Sequence, residues 1–171
     1  FSEGDWILLQ NEIANVDCAI EYAHARKLRV ALNPSPFDDV ISRCNLNYVD
    51  MLLINEVEGA ELTGAAEPEQ ILSILRTQYM NLSVLLTLGE HGAIFVDSQG
   101  IRYHVPSVPC VVKDTTAAGD TFTGYFLTSY FKDYDVSRAL AIAAAASSIA
   151  VSREGAASSI PYQCEVLTYM K

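Results

Sequence analysis

The 171-residue sequence predicts an α/β fold with a mixed sheet. Three observations predict it. Short apolar runs alternate with stretches of helical periodicity as far as Leu88. A glycine-flanked turn then opens a hairpin pattern. After it come long helical stretches, one of them very rich in alanine.

The elements follow in order. Trp6-Ile7-Leu8-Leu9-Gln10 is a continuous apolar run, as in a buried parallel strand. It ends in Gln10-Asn11-Glu12-Ile13, which puts polar groups at the strand's C-terminal end. Ligands of open α/β sheets bind at that end. Ala14 to Leu28 carries Val16, Ala19, Ile20, Ala23 and Leu28 near helical spacing, with Arg26 and Lys27 in the last turn, where cations are favoured. Residues 29–33 form the next strand, and Pro34 and Pro36 end it. The first 36 residues therefore spell one β-α-β unit.

Val49 to Ile54 is a third strand. Asn55 is a good N-cap for a helix through Leu62, and Gly64 a good stop. Pro68 to Met80 is amphipathic, with Ile71, Ile74 and Leu75 inward. Val84 to Leu88 is a fourth buried strand. The Gly89–Gly92 turn leads to Ala93–Val96, a turn at 97–100, and Ile101–Val105, a hairpin pattern. Val108 to Val112 is expected to continue the antiparallel part. Thr121 to Phe131, Val136 to Ser152 and Cys164 to Met170 are expected helices, with a loop at 155–161.

The totals narrow the function. The length suits one ordinary domain, and half the residues are hydrophobic, as in a globular chain. A net charge of −10 argues against a nucleic-acid surface. Any anion site must work against that field, with local dipoles and a cation. Cys18, Cys44, Cys110 and Cys164 lie far apart, without zinc-ligand spacing. They suit reduced core thiols of a cytoplasmic protein, although two disulfides stay compatible with the count. The most apolar long run, Ala139 to Val151, has 13 residues, which suits a buried helix and not a membrane span. No signal peptide is visible.

Residues 114–126 organise the rest. The Ala117-Ala118-Gly119 stretch lets a ligand approach the backbone closely. The helix start beyond it offers unpaired N–H groups and a positive dipole end, which suits a phosphate. Asp120 is the odd part. A carboxylate would repel a phosphate unless it had chemistry to do, such as taking a proton from an attacking hydroxyl. Alone, it would more often be an acid favouring its own helix.

Asp114-Thr115-Thr116-Ala117-Ala118-Gly119-Asp120-Thr121-Phe122 resembles the C-terminal signature of the ribokinase-like (phosphofructokinase-B type) carbohydrate kinases. Leu9–Glu12, Asn33–Pro36, Asn55–Glu58 with Leu62-Thr63-Gly64, Thr87–Gly92 and Ala150–Ala156 resemble further segments of that family, in the right order. The resemblance covers essentially the whole chain. It implies a three-layer α/β/α fold with a mixed central sheet, of which residues 1–171 would be the C-terminal, nucleotide-binding and catalytic portion. The N-terminal half, with the glycine-rich sugar motif and the lid strands that mediate dimerisation, would be lacking. The first strand would then leave a sheet edge and an apolar face uncovered.

The implied reaction is ATP-dependent phosphorylation of a sugar, D-ribose giving D-ribose 5-phosphate. Another sugar or a nucleoside as substrate is the alternative, as is a nucleotide-binding fragment inactive on its own. By the same resemblance Asp120 is the base, and the amides of Ala117, Ala118, Gly119 and Asp120 form the anion hole. No G-x-x-x-x-G-K-[ST] run is present, so the phosphate site is not a Walker A loop. Glu12 would hydrogen-bond the sugar. Asn55 and Glu58 match the N-x-x-E motif associated with Mg²⁺ and phosphate, Glu58 through water. Thr87, Leu88, Gly89, Glu90, His91 and Gly92 match a nucleotide loop. Ala144 stands where relatives often carry a histidine beside adenine, so its contact there would be apolar. Asp114, Thr116, Ala150, Arg153, Gly155 and Ser159 match positions that hold K⁺, most through backbone carbonyls. The implied partners are ATP, a sugar and a second copy of the full-length protein, with no nucleic acid and no membrane.

Overall fold

The structure is a computed structural model and describes residues 1–133 and 135–171. The described residues contain six strands and six α-helices. The strands are β1 (Trp6–Gln10), β2 (Arg29–Asn33), β3 (Met51–Asn55), β4 (Ser83–Thr87), β5 (Ala93–Val96) and β6 (Arg102–Val105). They lie in one sheet in chain order, β1-β2-β3-β4-β5-β6. The first four are parallel. Gln10 is level with Asn33, and Asn55 with Thr87. Five-residue connections precede and follow β5, too short for parallel crossovers, so the sheet is mixed as expected.

The chain divides into two compact units. The first comprises residues 1–87 and 94–102. Its inner strands are buried on both faces: Val30, Ala31 and Leu32 on β2, Met51 to Ile54 on β3, Val84 to Leu86 on β4. β1 is an edge strand, and its Leu8 is 48% exposed. The edge position is the one expected from the sequence.

α1 (Val16–Ala25) buries Val16, Ile20 and Ala23, one stripe at helical spacing. It is shorter than expected, because Asn15 and Lys27 take left-handed backbone at its two ends. α2 (Glu56–Thr63) starts on a reciprocal capping box. The Glu58 N–H donates to Asn55 Oδ1, and the Asn55 N–H to Glu58 Oε2, both at 2.9 Å. Gly64 closes the helix in the left-handed region. α3 (Pro68–Gln78) buries Ile71, Leu72 and Leu75. Its Arg76 donates to the Asp97 carbonyl at the hairpin turn, and Glu69 pairs with Arg102.

The second unit comprises residues 88–93 and 103–171. α4 (Ala118–Asp133) packs on α5 (Val136–Val151), whose Ala139, Ala143, Ala145, Ala146 and Ala150 are buried. Small side chains allow that close approach. α6 (Gln163–Tyr169) buries Val166 against Ile142, Ala145, Ala146 and Ile149 of α5.

Two expectations need correction. Residues 108–112 form no strand. Pro106 just before this stretch and Pro109 within it lack ladder N–H groups, and Val111 and Val112 are exposed. The four cysteines are free, as one of the two readings had it, but they are not core residues: Cys18, Cys110 and Cys164 are exposed and Cys44 half-buried. No helix among the described residues is long and apolar enough to cross a membrane.

Candidate active site

The second unit holds the Asp114–Asp120 segment. Asp114 is a fixed post. Its Oδ1 accepts the Thr116 N–H at 2.9 Å and its Oδ2 the Gly155 N–H at 3.0 Å. The N–H groups of Lys113 and Asp114 both donate to the Val151 carbonyl, at 2.8 and 3.2 Å. The run into α4 is thereby stapled to the end of α5.

The Thr116 hydroxyl and N–H, and then the Gly155 N–H, hold the Asp114 carboxyl below its ordinary 3.8. A carboxylate whose pKa is lowered by folding stabilises the folded state above the ordinary value. That contribution is lost as pH falls through the lowered value. The Asp114–Gly155 tie is therefore expected to stay intact at neutral pH and to open only in acid below about pH 3.8. Protection of the Gly155 amide in hydrogen exchange, followed against pH, checks this. Loss of protection near pH 6 would contradict it.

Ala117 takes left-handed backbone, φ 59°, a strained conformation for a residue with a Cβ. Its carbonyl accepts the Thr121 N–H at 2.9 Å and so starts α4. The bend directs the amides that follow into the helix's first turn, where N–H groups lack partners one turn back. The Ala118 N–H donates to the Thr115 carbonyl at 3.2 Å, so that amide has a partner inside the turn. Gly119 and Asp120 are exposed in the first turn. Ser147 of α5 donates to the Ala118 carbonyl at 3.2 Å and holds the helix start in place.

The residues expected to hold potassium fall in the same unit. Asp114 and Gly155 are bonded directly. The Ala150 carbonyl accepts the Arg153 N–H at 3.0 Å. Ser159 is fully buried, and its hydroxyl donates to the Ala156 carbonyl at 2.7 Å. The Arg153 side chain pairs with Glu165 at 2.5 Å and holds that carboxyl below its usual range. Arg153 thus has only its carbonyl to offer a cation. A set of carbonyl, hydroxyl and carboxylate oxygens suits a hard alkali ion. Among the described residues no three His, Cys, Asp or Glu side chains cluster as a metal site.

Residues 88–92 form a tight turn in this unit. The Leu88 N–H donates to the Gly92 carbonyl, His91 to Leu88, and Gly92 to Gly89. Gly89, Glu90 and His91 are exposed at its tip, and Gly92 is buried. Ala144 is buried on α5.

Glu12, Asn55, Glu58 and Thr87 belong to the first unit. Glu12 is exposed just past β1. Asn55 and Thr87 end neighbouring parallel strands in register, and the Thr87 hydroxyl donates to the Ile54 carbonyl. These polar residues share the C-terminal edge of the parallel strands, where α/β sheets place ligands. Glu58 is 7% exposed, and one of its oxygens is committed to the capping box. Its buried carboxylate and the Asn55 amide offer the oxygen chemistry magnesium prefers.

Two residues that shape this region gave no signal in the sequence. Ser107 donates its hydroxyl to the Glu90 carbonyl, 17 positions away. Glu165 anchors Arg153 from α6, 12 positions away.

The pfkB family carbohydrate kinase model matches residues 4–163. The chain is 31% identical to the ribokinase of Haemophilus influenzae over 176 aligned positions, covering 99% of this chain and 57% of that protein. It is 35% identical to the ribokinase of Schizosaccharomyces pombe, covering 94% and 53%. Among solved structures, ribokinase of Arabidopsis thaliana complexed with ribose and ATP superposes with a TM-score of 0.83 at 29% identity, covering 97% of this chain and 55% of that one. The ribokinase of Cryptococcus neoformans var. grubii in complex with ADP gives 0.82 at 25% identity, with 95% and 60% covered. The chain spans a little over half the length of these curated relatives. The chain belongs to the pfkB family of carbohydrate kinases.

Proposed function

We propose that this chain carries the ATP-binding and phosphoryl-transfer portion of a sugar kinase whose substrate is D-ribose. The observation that carries the reading is the Asp114–Asp120 junction. There a fixed carboxylate, a left-handed alanine and a helix start present first-turn amides beside the exposed Asp120. The ribokinase relatives, one of them solved with ribose and ATP, support the choice of sugar.

In this reading Asp120 takes the proton from a sugar hydroxyl as its oxygen attacks the γ-phosphorus of ATP. The bond from that phosphorus to the bridging oxygen breaks, and ADP leaves with its electron pair. The amides of Ala117, Gly119 and Asp120 receive the charge that builds on the transferring group, and that of Ala118 joins them by releasing its bond to the Thr115 carbonyl. Glu12 orients the sugar. Thr87, Leu88, Gly89, Glu90, His91 and Gly92 receive the nucleotide, with Ala144 as an apolar neighbour. Asn55 and Glu58 would hold magnesium through water, and Asp114, Thr116, Ala150, Arg153, Gly155 and Ser159 potassium. Such cations supply positive charge to offset the phosphates and the chain's net −10.

The 171-residue chain is expected to bind ATP but to turn over ribose negligibly by itself, since Glu12 alone here is expected to hold the sugar. The complete enzyme is expected to act as a homodimer in the cytoplasm. A coupled ADP-release assay on the longest product of this reading frame, with ribose, deoxyribose, fructose and nucleosides, tests the substrate. Ribose should give the highest kcat/KM. Faster turnover of fructose or a nucleoside would replace ribose while leaving the kinase reading in place.

A further inference from the structure

Residues 105–107, at the end of the hairpin, have no part in the reading above. They are nevertheless packed against the turn at 88–92. Gly92 is the closest point. A Cβ there would meet the Val105 carbonyl oxygen at 2.0 Å and Pro106 backbone atoms at 2.7 and 2.8 Å. Two positions on, Ser107 donates its hydroxyl to the Glu90 carbonyl.

The peptide unit between Glu90 and His91 is therefore held at both ends. Its carbonyl accepts from Ser107, and its N–H donates to the Leu88 carbonyl. A peptide plane pinned on both sides cannot rotate, so the groups at the exposed tip keep one orientation. The same segment runs on through seven residues to Asp114, the post of the anion site. One stretch of backbone thus sets the turn and feeds the junction.

We infer that Ser107 is a positioning residue for nucleotide binding: its hydroxyl fixes the Glu90–His91 peptide, and with it the presentation of the 89–91 tip to ATP. The inference rests on the nucleotide role proposed above for residues 87–92. Ser107 itself touches no nucleotide in this scheme. Its contribution is preorganisation, which lowers the ordering cost of binding. Without the hydroxyl, water would satisfy the Glu90 carbonyl at this exposed place, and the peptide would be free on one side.

The test is ATP titration of the 171-residue chain by calorimetry, alongside thermal melting by circular dichroism. Ser107→Ala is expected to raise the ATP Kd about three- to tenfold, the worth of one net hydrogen bond. The melting temperature should move by less than about 3 °C, as for a surface substitution in a chain of this size. Ser107→Thr keeps the hydroxyl and should restore the wild-type Kd. If wild type binds ATP and Ser107→Ala binds equally well, the inference fails and the nucleotide role of the turn stands. A large drop in melting temperature with weakened binding that Ser107→Thr does not restore makes Ser107 merely structural and overturns the inference. If wild type binds no ATP at all, the nucleotide reading and the inference fall together.

Discussion

If the complete protein is the proposed ribose kinase, Asp120→Asn should lower its kcat by roughly 10²–10⁴-fold, the range removed with a general base. Asparagine keeps the shape and the place in the first turn of α4, so the amides and the helix start remain. ATP should still bind, with a Kd within about threefold of wild type, because in the proposed mechanism the lost group serves only the proton transfer. In the proposed site the carboxylate lies beside the phosphates, so its neutralisation removes a repulsion and should not weaken ATP binding. Single-turnover measurement at saturating ATP separates the chemical step from product release. A kcat within about tenfold of wild type would remove Asp120 from the role of base.

Gly92→Ala is expected to be the most damaging single methyl in the second unit. Two effects add. Gly92 has φ +91°, and an added Cβ would lie 2.0 Å from the Val105 carbonyl oxygen. Left-handed backbone costs about 1–2 kcal/mol for a residue with a Cβ, and overpacking typically another 1–3. Together these should destabilise the chain by about 3 kcal/mol, or roughly 6–12 °C in melting temperature at this size. The control is Gly89→Ala in the same turn. Gly89 has φ +52° but nothing within 4 Å of an added Cβ, so only the backbone cost of about 1–2 kcal/mol applies. Equal losses in the two variants would mean that the approach of residues 105–106 to Gly92 relaxes freely.

Much of the fold was legible in the sequence because local signals agreed with one another. Trp6–Gln10, Arg29–Asn33 and Ala93–Val96 have the bounds their apolar runs predicted. The third strand begins two residues later than its apolar run, at Met51. Leu46–Tyr48 makes a short helical turn before it, and Asp50 turns its carboxylate to the Val30 N–H. The fourth strand sits one residue earlier than expected, because Leu88 already belongs to the turn that Gly92 closes. The failure at 108–112 is instructive. Valines suggested a strand, but two prolines and the lack of a partner outweighed propensity.

At the candidate site, residue types and backbone features were more legible than contacts. Asn55 as a cap was readable, and the structure adds its reciprocal bond with Glu58. A helix start near Ala117-Ala118-Gly119 was readable from small residues before a helical pattern, but α4 begins at Ala118, three residues before the expected Thr121. The left-handed turn at Ala117 was not, since alanine carries no signal for positive φ. The partnership of Arg153 with Glu165, like that of Ser107 with Glu90, depends on how separated segments meet. No spacing rule encodes such meetings, so they emerge only with the tertiary structure.

The order of the sheet has a consequence for biosynthesis. Every strand neighbours the one made immediately before it, from β1 to β6. A chain leaving the ribosome N-terminus first can therefore add each strand to an edge that already exists, with no need to wait for a distant partner or to insert between strands already paired. Sequential neighbours also keep pairing separations short, which favours rapid assembly. The segment bearing Asp120 emerges after β6, so its helix start is made once the six strands described here have left the ribosome.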